Sequence, residues 1–74
     1  MFQVGDEVIS EGFYGIGKVV SITGYEKNLL GEKCPIIVNN PSGCYYSYTK
    51  DGFLCGAYEE HLKEKYKIKK WSML

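Results

Sequence analysis

The fold this sequence predicts is mainly β: a small antiparallel barrel of four to five strands with one short helix near the C-terminus. Three observations predict it. Short runs rich in β-branched and aromatic residues recur at 18–23, 34–39 and 44–49. Turn signals separate the runs: Asn28 and Gly31 in the polar stretch 24–33, then Asn40-Pro41-Ser42-Gly43, then Lys50-Asp51-Gly52. Finally, the chain has 74 residues, enough for one domain spanning 1–74. Several short strands joined by short turns in so few residues leave a small barrel as the way to cover a core.

Taken in order, Gly5-Asp6 supplies a turn that feeds a first strand, with Val8 pointing inward. The glycine-punctuated segment Gly12–Gly17 runs straight into Lys18–Thr23, where β-branched residues dominate. A β-carbon at Gly15 or Gly17 is expected to obstruct this loop. The stretch Gly24–Lys33 reads as a long hairpin loop. In the strand Cys34–Asn39, Pro35 is confined to the start or to an edge. In Cys44–Thr49, a period of two puts Cys44, Tyr46 and Tyr48 on one face and Tyr45, Ser47 and Thr49 on the other. The helix is expected over 57–65, with Tyr58, Leu62 and Lys65 on one side. At about nine residues it depends on packing against the sheet. Residues 66–74 form a lysine-rich terminal strand or tail, in which Tyr66 and Ile68 alternate with lysines as in a protected edge strand.

Nine lysines balance nine acids and there is no arginine, which weighs against a dedicated nucleic-acid binder. Lys63, Lys65, Lys67, Lys69 and Lys70 nevertheless cluster near the end of the chain, and such a run is ordinarily a solvated face. The three cysteines, Cys34, Cys44 and Cys55, cannot all pair within the chain. With no CxxC and only His61 beside them, they suggest neither a disulfide framework nor a zinc site, so free thiols in a reducing cytoplasm are expected. No apolar run approaches the roughly 20 residues of a membrane helix, and no basic segment followed by an apolar one marks a signal peptide.

The order of motifs resembles known families. Phe2-x-Val4-Gly5-Asp6-x-Val8, followed by Tyr14-Gly15-x-Gly17-x-Val19-x-x-Ile22, is similar to the opening of small SH3-like barrels, among them CarD-type RNA-polymerase-interacting domains and KOW or Tudor-like modules. Pro35-Ile36-x-Val38, then an aromatic strand and Tyr48-Thr49-x-Asp51-Gly52, resembles a group of short SH3-like proteins encoded by phages and prophages. The likeness spans residues 2 to 56. It implies an SH3-like barrel, and for a phage-type accessory protein it implies a bacterial host protein as partner.

No catalytic constellation emerges. The Gly15-x-Gly17 loop precedes a strand, whereas a phosphate cradle precedes a helix. Glu59 and Glu60 are adjacent on the helix and cannot face one another. A dyad of His61 with a cysteine lacks any recognisable nucleophile motif. No metal or cofactor is expected. The aromatics carry the information, because eleven of them exceed what one small core can hide. Phe13, Tyr14, Tyr45, Tyr48 and Trp71 are the expected partner-binding residues, with Tyr14, Tyr45 and Tyr48 sharing an exposed patch. The function expected is therefore a non-catalytic module binding a host or bacterial protein, for example a defence or transcription component. Two alternatives stand beside it. One is a nucleic-acid-binding barrel using Lys67, Lys69 and Lys70 with stacked tyrosines. The other is an oligomer, as small as a homodimer, that sequesters a small ligand.

Overall fold

The computed structural model describes residues 1–74. Five antiparallel strands form one sheet in the order β4-β3-β2-β1-β5, and the sheet curls into a small barrel-like globule. The strands are β1 (Glu7–Ile9), β2 (Gly17–Ser21), β3 (Ile36–Asn39), β4 (Tyr45–Tyr48) and β5 (Lys69–Lys70). One helix, α1 (Glu60–Tyr66), joins β4 to β5, and a 3-10 turn, Trp71–Met73, ends the chain. The mainly β class and the single short helix near the C-terminus are as expected.

Period-two burial places the core. Val8, Val19, Ile36, Val38, Tyr48 and Ile68 interlock on the inner face, with Phe2, Phe13 and Leu54 packed against them. The register explains the grouping, since Val19 faces Val38, Val38 faces Tyr46, and Ile36 faces Tyr48. A register shift between Val19 and Ser21 bends β2 and tightens the curl.

Closure comes from the segment after β4. Leu54 bridges back to Tyr48, so residues 53–55 line the outer edge of β4. Gly52 turns the chain with φ +92, and its carbonyl accepts the Ile68 N–H at 3.0 Å, just before β5. The two ends of the sheet are thereby tied across the core.

Both loop glycines behave as expected. Gly15 has φ +80, and a β-carbon there would lie 3.0 Å from Pro41. At Gly17 a β-carbon would lie 2.9 Å from Val38 Cγ1 and 3.1 Å from Phe13 Cζ.

Two boundaries differ from expectation. The helix begins at Glu60 rather than 57, because Ala57 is buried in a turn whose N–H bonds to the Leu54 carbonyl. It then continues through Tyr66, and β5 is reduced to two lysines. No helix is long and apolar enough to cross a membrane.

Gly52 is the position most sensitive to substitution. A β-carbon there would meet Phe2 Cε2 at 3.1 Å and Ile68 O at 3.2 Å, in a backbone region that side chains avoid. Gly31 has a similar φ of +80 but nothing within 4 Å. Gly52→Ala should destabilise the domain by about 2 kcal/mol or more, against about 1 kcal/mol for Gly31→Ala, as read by urea unfolding.

Candidate functional site

The outer face of β2, β3 and β4 is built by the same alternation that fills the core. Lys18, Asn39 and Tyr45 stand in one cross-strand row, and Ser21, Ile37 and Ser47 in the next. Beside the first row lies a shallow groove of about 310 Å³, lined by Ile16, Lys18, Val20, Asn39, Asn40 and Pro41.

A hydrogen-bonded turn holds this end of the sheet. Asn40 is buried, and its Oδ1 accepts the Ser42 N–H at 3.0 Å, the Ser42 hydroxyl at 2.6 Å and the Cys44 N–H at 3.1 Å. An Asn side chain that takes over backbone donors in this way stiffens the turn. The Phe13–Gly17 loop leans on that turn through the close approach of Gly15 to Pro41. Phe13 is half-buried on the core, while Tyr14 beside it is 98% exposed. Tyr45, directly after the turn, is 65% exposed. Two exposed tyrosines thus stand at one end of the sheet.

The expected patch is otherwise corrected. Tyr48 is 1% exposed and belongs to the core, because it shares the inner parity of β4 and sits opposite Ile36. Burial, with Tyr46 beside it, pushes its phenol well above the ordinary tyrosine range. Tyr48 and Tyr45 cannot share an outer face when three positions separate them on a strand. Trp71 is half-exposed and opens the 3-10 turn after β5, which lies against β1.

The lysines do not form a free stripe. Lys70 Nζ lies 3.4 Å from Asp6 and sits over the Phe2 ring. The Asp6 carboxyl is held below its ordinary range, first by the Gln3 N–H and then by Lys70. Lys67 and Lys63 both lie over Phe53, at 4.9 and 5.3 Å from the ring centroid. Lys69 is exposed, and with Lys65 and Lys67 it lines a groove that also holds Glu11 and Glu64.

His61 is exposed and lies 3.5 Å from Glu59. No group of three or more His, Cys, Asp or Glu side chains is placed to hold a metal ion. All three cysteines are free: Cys34 is buried, Cys55 half-buried and Cys44 exposed. Burial, reinforced by the Cys55 thiol, pushes the Cys34 thiol up to about 12.

No family model matches the chain, and neither the curated proteins nor the solved structures contain a match.

The burial pattern predicts a clear division among the tyrosines. Tyr48→Ala should cost about 3–5 kcal/mol, since it empties the core. Tyr14→Ala and Tyr45→Ala should each cost less than about 1 kcal/mol, as surface changes do. Thermal melts of the three variants check this.

Proposed function

We propose that this protein is a non-catalytic binding module that grips a partner protein with the outer face of β2–β4, around Tyr14, Tyr45 and the groove between Ile16, Val20 and Pro41. The observation that carries this reading is the pair of exposed tyrosines at one end of the sheet, beside the hydrogen-bonded Asn40 turn. Aromatic side chains have few rotatable bonds for the large area they bury, so they serve as anchors where longer flexible side chains serve poorly. The groove's mixed lining, apolar at Ile16 and Val20 and polar at Lys18 and Asn39, resembles the core and rim of a protein interface. Phe13 supports the site from beneath rather than touching the partner. The likeness to short phage- and prophage-encoded barrels makes a bacterial host protein the expected partner. On this reading the protein acts by occupying or modulating that host component, with no chemistry of its own.

Lysine distribution favours protein over nucleic acid. Lys67 and Lys70 are committed to Phe53 and to Asp6 with Phe2, and the exposed Lys69 shares its groove with two glutamates. A phosphate backbone needs a run of cations free of such neighbours.

Affinity capture from a bacterial lysate, with one arm treated with nuclease, tests the reading. A captured protein should survive nuclease and disappear with the Tyr14→Ala/Tyr45→Ala double variant. Each ring is expected to be worth about 2 kcal/mol, or roughly a thirtyfold loss of affinity. Charge reversal at Lys67, Lys69 and Lys70 should change the affinity little. Capture that fails after nuclease, or that depends on the lysines and not on the tyrosines, would favour the nucleic-acid reading.

A further inference from the structure

Asp51-Gly52, in the turn that closes the barrel, is the only place in the chain where an Asp or Asn precedes a glycine. The bond between such a pair can rearrange, because the side-chain carboxyl carbon lies one ring closure away from the next backbone nitrogen. Glycine has no β-carbon to shield that nitrogen. Whether the rearrangement proceeds depends on how freely the nitrogen can turn toward the carboxyl.

Here the turn holds the nitrogen away. The Gly52 N–H donates to the Thr49 carbonyl at 2.9 Å. On either side, the Thr49 N–H donates to the Phe53 carbonyl at 2.8 Å and the Phe53 N–H to the Thr49 hydroxyl oxygen at 3.1 Å. The Gly52 carbonyl is fixed as well, since it accepts the Ile68 N–H at 3.0 Å. Asp51 is exposed, whereas Gly52 is buried with φ +92 between Phe2 and Ile68. Water therefore reaches the carboxyl while the attacking nitrogen stays inside the fold.

We propose that Asp51-Gly52 is a covalent modification site gated by barrel closure, rearranging to isoaspartate when the Gly52 turn opens and thereafter preventing the turn from closing again. Folded chains keep the ordinary peptide bond. Each opening exposes the nitrogen and gives the reaction its chance.

The steps balance. The Gly52 nitrogen gives up its proton and bonds to the Asp51 side-chain carboxyl carbon, closing a cyclic imide. One carboxyl oxygen leaves as water, carrying that proton and one taken from solvent. Water then adds to either carbonyl of the imide and returns a proton to solvent. Attack at the side-chain carbonyl restores aspartate. Attack at the main-chain carbonyl breaks its bond to the Gly52 nitrogen and leaves the backbone running through the Asp51 side chain. Nothing is oxidised or reduced, and the final mass is unchanged. The main chain now carries an extra methylene immediately before Gly52. Gly52 can no longer donate to Thr49 and accept from Ile68 at once, and the packing of Phe2 and Ile68 around it leaves no room for a detour.

The test ages the full chain at neutral pH with a thiol reductant, one sample in buffer and one unfolded in guanidinium chloride at the same temperature. Peptide mapping reads the isoaspartate fraction at residue 51. The folded chain should isomerise at least about tenfold more slowly than the unfolded one, because the reaction follows the population in which the turn is open. The signal should vanish in Asp51→Glu, whose longer side chain closes a less favoured ring. Isomerised chain, separated by chromatography and returned to buffer, should melt at a lower temperature than fresh chain carried through the same denaturant. Equal rates in buffer and denaturant, an isomer that persists in Asp51→Glu, or an isomerised chain with an unaltered melting temperature would overturn the proposal.

Discussion

A sheet whose strands run from two to five residues has little stability in any one pairing, and its two ends must be joined for a core to exist between them. The joint is the hydrogen bond from the Ile68 N–H to the Gly52 carbonyl, at 3.0 Å. Gly52 can accept it only because its backbone takes a positive φ and has no side chain to collide with Phe2 and Ile68. Once that bond forms, Ile68 is delivered into the core beside Val8 and Tyr48, and β5 is set against β1 with its two lysines at the sheet's edge. Lysines on so short an edge discourage further strands from adding there.

The surface inherits its character from this closure. Because Val19, Val38 and Tyr48 must point inward, Lys18, Asn39 and Tyr45 must point outward, and they do so in one row. The turns at Phe13–Gly17 and Asn40–Gly43 then add Tyr14 and Pro41 to the end of that row. The same folding-back after β4 that leads to Gly52 and Ile68 also sets Tyr58 against the Gly24–Lys33 loop, where its hydroxyl accepts the Leu29 N–H.

Much of the fold was legible from local chemistry. β-branched runs and the Asn-Pro-Ser-Gly and Asp-Gly signals located β2, β3, β4 and their turns, because those residues act over three or four positions. Gly15 and Gly17 were recognisable as positions intolerant of a β-carbon for the same reason. Alternation along β4 separated Tyr45 from Tyr48, yet only the register against Ile36 shows which of the two faces is buried. The helix start was hidden because Ala57 is claimed by a turn with Leu54, a contact that no helical pattern reveals. The meeting of Leu29 with Tyr58 is a product of topology, and no short window of sequence carries it.

Hydrogen exchange at the Ile68 amide tests the central claim most directly. If closure through Gly52 holds the barrel together, Ile68 should exchange only by global unfolding, as slowly as the amides of Val19 and Val38 in the central strands. Exchange at Ile68 near the rate of an unprotected amide, with Val19 and Val38 still protected, would show that the sheet stands without this joint and contradict the account.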